Sequence, residues 1–346
     1  MMRGLYIHVP FCVRKCPYCD FYSEKYSRAE SERFVNAVIR NLARYPETFG
    51  TVYFGGGTPA LIYPQIGGIL REIRVSDGAE ITVECNPDAV NEQILAELKA
   101  AGVNRLSFGV QSLDKSELAA LGRLHGADTA EKAILQAVSV GFRNISVDIM
   151  LGVPNQTETS LIQTIDALAE LPITHVSAYL LKIEQNTPFG KNPPVIPDDD
   201  EQAALYLAAV RRLDEHGFRQ YEISNFAKDG FKSAHNLIYW NAGEYVGIGP
   251  AAHSYYNGKR FAVPRNLGDF IENAAQNEII TDENPDVYEE KIMLGLRLSE
   301  GVLLDERIEK RLKLVPKEYF RVLDGRISLT PKGFLVSNKI ISTILA

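Results

Sequence analysis

The chain has 346 residues, 45% hydrophobic and 23% charged, with a formal net charge of −7. This is ordinary globular composition with enough length for a large core, and no low-complexity segment interrupts it. The negative balance argues against a general affinity for polyanions, so nucleic acid is not expected as a partner. With no signal peptide and no long apolar run, a cytoplasmic protein is expected.

From the N-terminus, short apolar runs alternate with longer amphipathic stretches. Runs 5–9, 52–55, 81–85, 105–110, 145–150 and 175–181 predict strands, and stretches 30–45, 91–101, 129–140 and 160–171 predict helices. Such alternation implies parallel βαβ units, six of them here. Side chains alternate faces along a strand. Ile81, Val83 and Cys85 therefore share an apolar face that opposes Thr82, Glu84 and Asn86. Leu106, Phe108 and Val110 likewise oppose Arg105, Ser107, Gly109 and Gln111, and Ile145, Val147 and Ile149 oppose Ser146, Asp148 and Met150. One face suits surrounding helices; the other predicts a polar lumen, filled by a bound polar ligand or by a satisfied internal network. Parity puts Cys85 on the helix side, as a small buried apolar residue.

Beyond position 181 the alternation changes. Asp198 to Asp200 would favour the N-terminus of a helix over 201–216, and 218–226 reads as a further strand. A domain boundary is expected at 226/227. The tail, 227–346, reads as a smaller mixed, mainly helical domain with helices at 287–298, 305–312 and 335–345. It is either a winged-helix-like subdomain or a helical cap packed on the sheet.

Cys12, Cys16 and Cys19 fall within eight residues, after the first predicted strand. Iron–sulfur clusters are normally held by four thiolates, so three thiolates on a four-iron cluster would leave one iron open to a small molecule. Zinc would ask for a second short Cys or His pair, and no second CxxC or HxxxH exists. A disulfide framework does not fit a long chain with four cysteines. Function in barrel-like enzymes sits at the C-terminal ends of strands, where this loop and Gly55-Gly-Gly-Thr-Pro59 both fall.

The segment from Leu5 to Asp20, with Gly55–Pro59, Gly109-Val-Gln-Ser112 and Asp148-Ile-Met-Leu-Gly-Val-Pro154, resembles the radical S-adenosylmethionine (SAM) superfamily. Within it the chain is similar to the branch that contains oxygen-independent coproporphyrinogen III dehydrogenase (HemN) and the haem chaperone HemW. The resemblance implies an α/β partial (β/α)6 barrel over 1–226. It implies a [4Fe–4S] cluster on Cys12, Cys16 and Cys19, and a SAM site at Tyr6, Tyr18, Gly56, Gly57, Thr58, Glu84, Gln111, Arg123 and Asp148. Strand parity places Glu84, Gln111 and Asp148 on the lumen face independently of that resemblance.

His235-Asn-Leu-Ile-Tyr-Trp240 holds the chain's one Trp and resembles a motif tied to haem handling in the chaperones. His235 and Trp240 are thus either haem-binding residues or a buried aromatic anchor. The dehydrogenase pattern has a Cys where this chain has Phe21, and an extension before the first strand. Both differences favour the chaperone: a protein that carries haem as cargo to haem-accepting proteins, with peripheral contact to membrane haem proteins. Oxidative decarboxylation of coproporphyrinogen is the alternative.

Overall fold

The computed structural model describes residues 2–346. Six parallel strands form its centre: β1 (Gly4–Val9), β2 (Thr48–Gly56), β3 (Arg74–Cys85), β4 (Arg105–Gln111), β5 (Asn144–Leu151) and β6 (His175–Leu180). Helices α1 (Arg28–Leu42), α2 (Tyr63–Arg71), α3 (Glu92–Ala100), α4 (Ala127–Ser139) and α5 (Glu158–Ala169) connect them. Their starts are set by local chemistry. Asn91 accepts from the Ile94 N–H at 2.9 Å, and Thr157 with Ser160 forms a capping box. Asp198 and Glu201 do the same for α6 (Asp199–Glu215), where the acidic run predicted a helix start.

The alternation read from the sequence is the one observed. Val83, Leu106, Phe108, Val110, Ile145 and Val147 are fully buried against the helices, as is Cys85 at 3% exposure, its thiol near the Val83 carbonyl. The opposite faces stack into rows across the parallel register. Thr51 pairs with Glu80; Tyr6, Tyr53, Thr82 and Arg105 follow one level up; then Glu84, Ser107 and Ser146; then Gly109, Asp148 and Ser177.

Two expectations need correction. Residues 218–226 are not one strand. They form a hairpin of β7 (Arg219–Gln220) and β8 (Asn225–Ala227), because buried Glu222 and the turn around it interrupt the ladder. The chain after 227 is also more regular than its sequence pattern predicts. After α7 (Ala234–Trp240), β9 (Tyr245–Ile248) returns to lie parallel beside β1. The antiparallel strands β10 (His253–Tyr256), β11 (Lys259–Ala262) and β12 (Ile279–Asp282) then extend the same edge. The full order is β12-β11-β10-β9-β1-β2-β3-β4-β5-β6-β8-β7, so position 227 falls within a continuous sheet. Val302–Leu303, Phe320–Leu323 and Arg326–Leu329 make a separate small sheet beside the helices Val287–Gly295, Glu306–Leu312 and Ser337–Leu345. Among the described residues no helix is long and apolar enough to cross a membrane.

Candidate cofactor site

The loop that carries the cysteines is tied at its base. Phe11–Cys12 pairs with Glu24–Lys25, and the Tyr26 N–H reaches the Cys12 carbonyl at 2.9 Å. His8, 4% exposed, joins the Tyr6 hydroxyl to the Tyr22 carbonyl (3.0 and 2.9 Å) and props the loop from the lumen. The glycine segment at the end of β2 locks onto the same base. Gly57 N–H donates to Val9 and Thr58 N–H to Phe11, at 2.8 and 2.7 Å. Glycine is required here. Gly56 has φ +110°, and a Cβ at Gly57 would stand 2.5 Å from the Phe11 carbonyl oxygen.

One cavity of about 310 Å³ lies under this loop. Cys12, Cys16 and Cys19 border it, with Tyr18, Gly56, Gly57, Thr58, Glu84, Gln111, Arg123 and Asp148. The structure thus gathers, from four strand ends and the loops after β1, β2 and β4, most of the residues singled out in the sequence. Tyr6 stands just outside, its ring 6.2 Å from that of Tyr53. Thr58 Oγ1 lies 3.8 Å from Cys12 Sγ, and Arg123 donates from Nη1 to Cys16 Sγ at 3.5 Å and from Nη2 to Asn86 at 2.9 Å. Gln111 takes a left-handed φ of +71° at a bulge in β4, which turns its side chain at the cavity mouth.

The two carboxylates are held differently. Glu84 accepts from the Tyr53 hydroxyl (2.8 Å) and the Gly56 N–H (3.1 Å). Burial, with Asp148 nearby, nonetheless pushes its pKa up to about 7. Asp148 is raised by burial too, against hydrogen bonds from Ser177 and Ser107, the latter at 3.2 Å. A desolvated carboxylate of this kind is a receptor for a cation.

The residues fit the cluster and SAM. Three free thiols ring a space, and among the described residues no three His, Cys, Asp or Glu groups suit a single ion. A multi-iron cluster occupies a volume and calls for such a ring of sulfurs. Donors aimed at two of the sulfurs suit thiolates rather than thiols.

His235 and Trp240 lie elsewhere. His235 is 1% exposed and has both ring nitrogens engaged, Nδ1 with Thr51 Oγ1 at 2.7 Å and Nε2 with the Tyr239 hydroxyl at 2.6 Å. Its ring stacks on Tyr53 at 5.1 Å. Helix α7 closes the lumen floor, and its neighbour Asn236 lines the cavity while half-buried Trp240 does not. Sequence reasoning missed Tyr53, Asn86, Arg105, Ser107, Ser177, Tyr179 and Asn236 as lining residues. Strand parity had already put Asn86, Arg105 and Ser107 on the lumen face, and the same count along β2 and β6 reaches Tyr53, Ser177 and Tyr179.

Residues 6–168 match the radical SAM superfamily. The chain is 34% identical to the heme chaperone HemW of Bacillus subtilis, over 99% of both chains. It belongs to the HemW family of radical SAM proteins. It is also 38% identical to Escherichia coli HemW over 72% of this chain and 69% of that protein. The mitochondrial radical S-adenosyl methionine domain-containing protein 1 of Bos taurus is 35% identical over 90% of this chain and 73% of its own. Among solved structures, coproporphyrinogen III oxidase (HemN) of Escherichia coli aligns with a TM-score of 0.83 at 19% identity, covering 99% of this chain and 90% of that one. That likeness establishes the α/β radical SAM fold. Family membership brings a [4Fe–4S] cluster and SAM as cofactors.

Proposed function

We propose that this chain is a haem chaperone that carries a [4Fe–4S] cluster and SAM, binds haem and passes it to haem-accepting proteins. The observation that carries the reading is the end-to-end likeness to a HemW protein. Phe21 supports it: the position is 64% exposed at the cavity rim and offers no thiol.

Cys12, Cys16 and Cys19 would hold the cluster, which when bound supplies an electron to a molecule at its open iron. Thr58 and Arg123 steady two of the sulfurs. Glu84, fixed by Tyr53 and Gly56, and Asp148 take the positive charge of SAM, while Gln111 and Arg123 orient the polar end nearest the loop. Tyr18 walls the site and Tyr6 backs it from outside, its hydroxyl engaged with His8; burial raises the hydroxyl pKa of both, so both stay neutral. His235 reaches a haem iron by exchanging the Tyr239 hydroxyl on Nε2 for the metal; a neutral imidazole is the form a metal requires.

The test is anaerobic reconstitution followed by haem titration and a coproporphyrinogen assay on one sample. A saturable Soret band without protoporphyrinogen IX is expected. Decarboxylation at enzymatic rates, roughly 1 per second or within a few decades of it, would restore the dehydrogenase reading.

A further inference from the structure

Arg105 has no part in the cofactor site as described. It lies on the lumen row of Tyr53 and Thr82, two residues below Ser107 on β4, and lines the same cavity as the cysteines. It is 2% exposed. Its Nε is buried without a hydrogen-bond partner. Its one ion pair among the described residues is with Glu80, at 4.0 Å. That carboxylate already accepts from the Ala234 and His235 N–H groups, at 3.1 and 3.0 Å, and lies 3.5 Å from the Ser233 hydroxyl. Guanidinium is a fork of five donors whose natural counterpart is a planar oxyanion, and leaving it unpaired in a desolvated site is costly.

Position along the strand separates this group from the SAM end. Arg105, Ser107, Gly109 and Gln111 form one lumen column of roughly 20 Å at the usual rise per residue. Gln111 is at the mouth beside the cysteine loop, and Arg105 is at the floor. Ser107, Ser177, Tyr179 and Asn236 supply further hydrogen-bonding groups to the cavity. Glu84 and Asp148 would repel an anion, but they are the groups assigned to the positive charge of SAM. The floor is therefore receptive once SAM is in place.

We propose that Arg105 is the recognition residue of a second subsite in this cavity, one that takes the carboxylate of a ligand. A haem propionate supplies that carboxylate, and the proposal rests on the haem reading above; the methionyl carboxylate of SAM lies at the loop end, with Gln111 and Arg123.

The experiment uses cluster-loaded protein, wild type, Arg105→Met and Arg105→Lys, with cluster absorbance and thermal melting as fold controls. Haem and haem dimethyl ester are titrated by Soret absorbance with SAM present. SAM is titrated by calorimetry as a control on the cofactor end of the cavity. Wild type should prefer haem to its ester by roughly tenfold or more, Arg105→Met should lose the preference, and Arg105→Lys should keep part of it. Loss of SAM affinity in Arg105→Met with the haem preference intact would overturn the subsite and give Arg105 to SAM. If wild type binds neither haem nor its ester, the chaperone reading falls and the subsite falls with it. If the haem preference is the same in wild type and both variants, the subsite is overturned and Arg105 merely balances internal carboxylates. Should Arg105→Met not fold, the same comparison is made with Arg105→Lys.

Discussion

Glu84 shows what a single buried carboxylate does to the behaviour of the site. With its pKa near 7, it is largely ionised at pH 8 and mostly protonated at pH 6. Only the carboxylate attracts the cation of SAM. The affinity of cluster-loaded protein for SAM should therefore fall about tenfold from pH 8 to pH 6, one proton being taken up per site. Calorimetry at the two pH values checks this, and Glu84→Gln should bind weakly with little pH dependence. His235 permits a second expectation. Tyr239 competes with any metal for Nε2, so Tyr239→Phe should tighten haem binding several-fold, the equivalent of about 1 kcal/mol for one hydrogen bond. A Soret titration that gives the wild-type affinity would detach His235 from haem ligation.

At the scale of elements, the cysteine loop and the glycine turn after β2 form one unit, joined backbone to backbone. A methyl group at Gly57 would meet the Phe11 carbonyl, which only backbone movement relieves. Gly57→Ala should therefore lose the broad visible absorbance after reconstitution, as should Ala at Cys12, Cys16 or Cys19, whereas Cys85→Ala should keep it. Loss in the Cys85 variant would break the three-ligand assignment. Much of this unit was legible in the sequence, because period-two alternation fixes which residues enter the lumen, and the short cysteine spacing fixes a loop. The hairpin at Glu222 was not legible: the stretch from Phe218 to Phe226 reads as one strand and gives no sign that a buried carboxylate will turn the chain. Nor was the inward position of His235, since its bonds to Thr51 and Tyr239 and the bond its N–H donates to Glu80 depend on partners up to 184 residues away. Arg105 was visible on the lumen face, yet nothing local showed that it would lack a partner.

For the molecule as a whole, Glu222 links stability to pH. It is fully buried, bridges to Leu298 in the tail, and has one carboxylate oxygen without a partner. Burial raises its pKa to about 7. The folded state thus holds its proton more tightly than the unfolded chain, so the stabilisation is complete below the ordinary carboxylate range and is lost as the pH rises through about 7. Melting of Glu222→Gln beside wild type should show the gap moving in favour of the variant between pH 5 and pH 8. A constant gap would mean that water or a partner group relieves the charge.

The return of β9 to the flank of β1 has a consequence for how the chain is made. β1 leaves the ribosome more than two hundred residues ahead of the strand that covers its outer hydrogen-bonding edge. Throughout that interval the nascent chain presents a buried-type strand, Leu5, Ile7 and Val9 included, with a row of open amides beside it, the usual template for intermolecular pairing. Such long-range closure is slow. A chain interrupted at 226 should therefore aggregate rather than persist as a free barrel, and a cluster delivered to the cysteine loop during synthesis would meet a scaffold still open on that side.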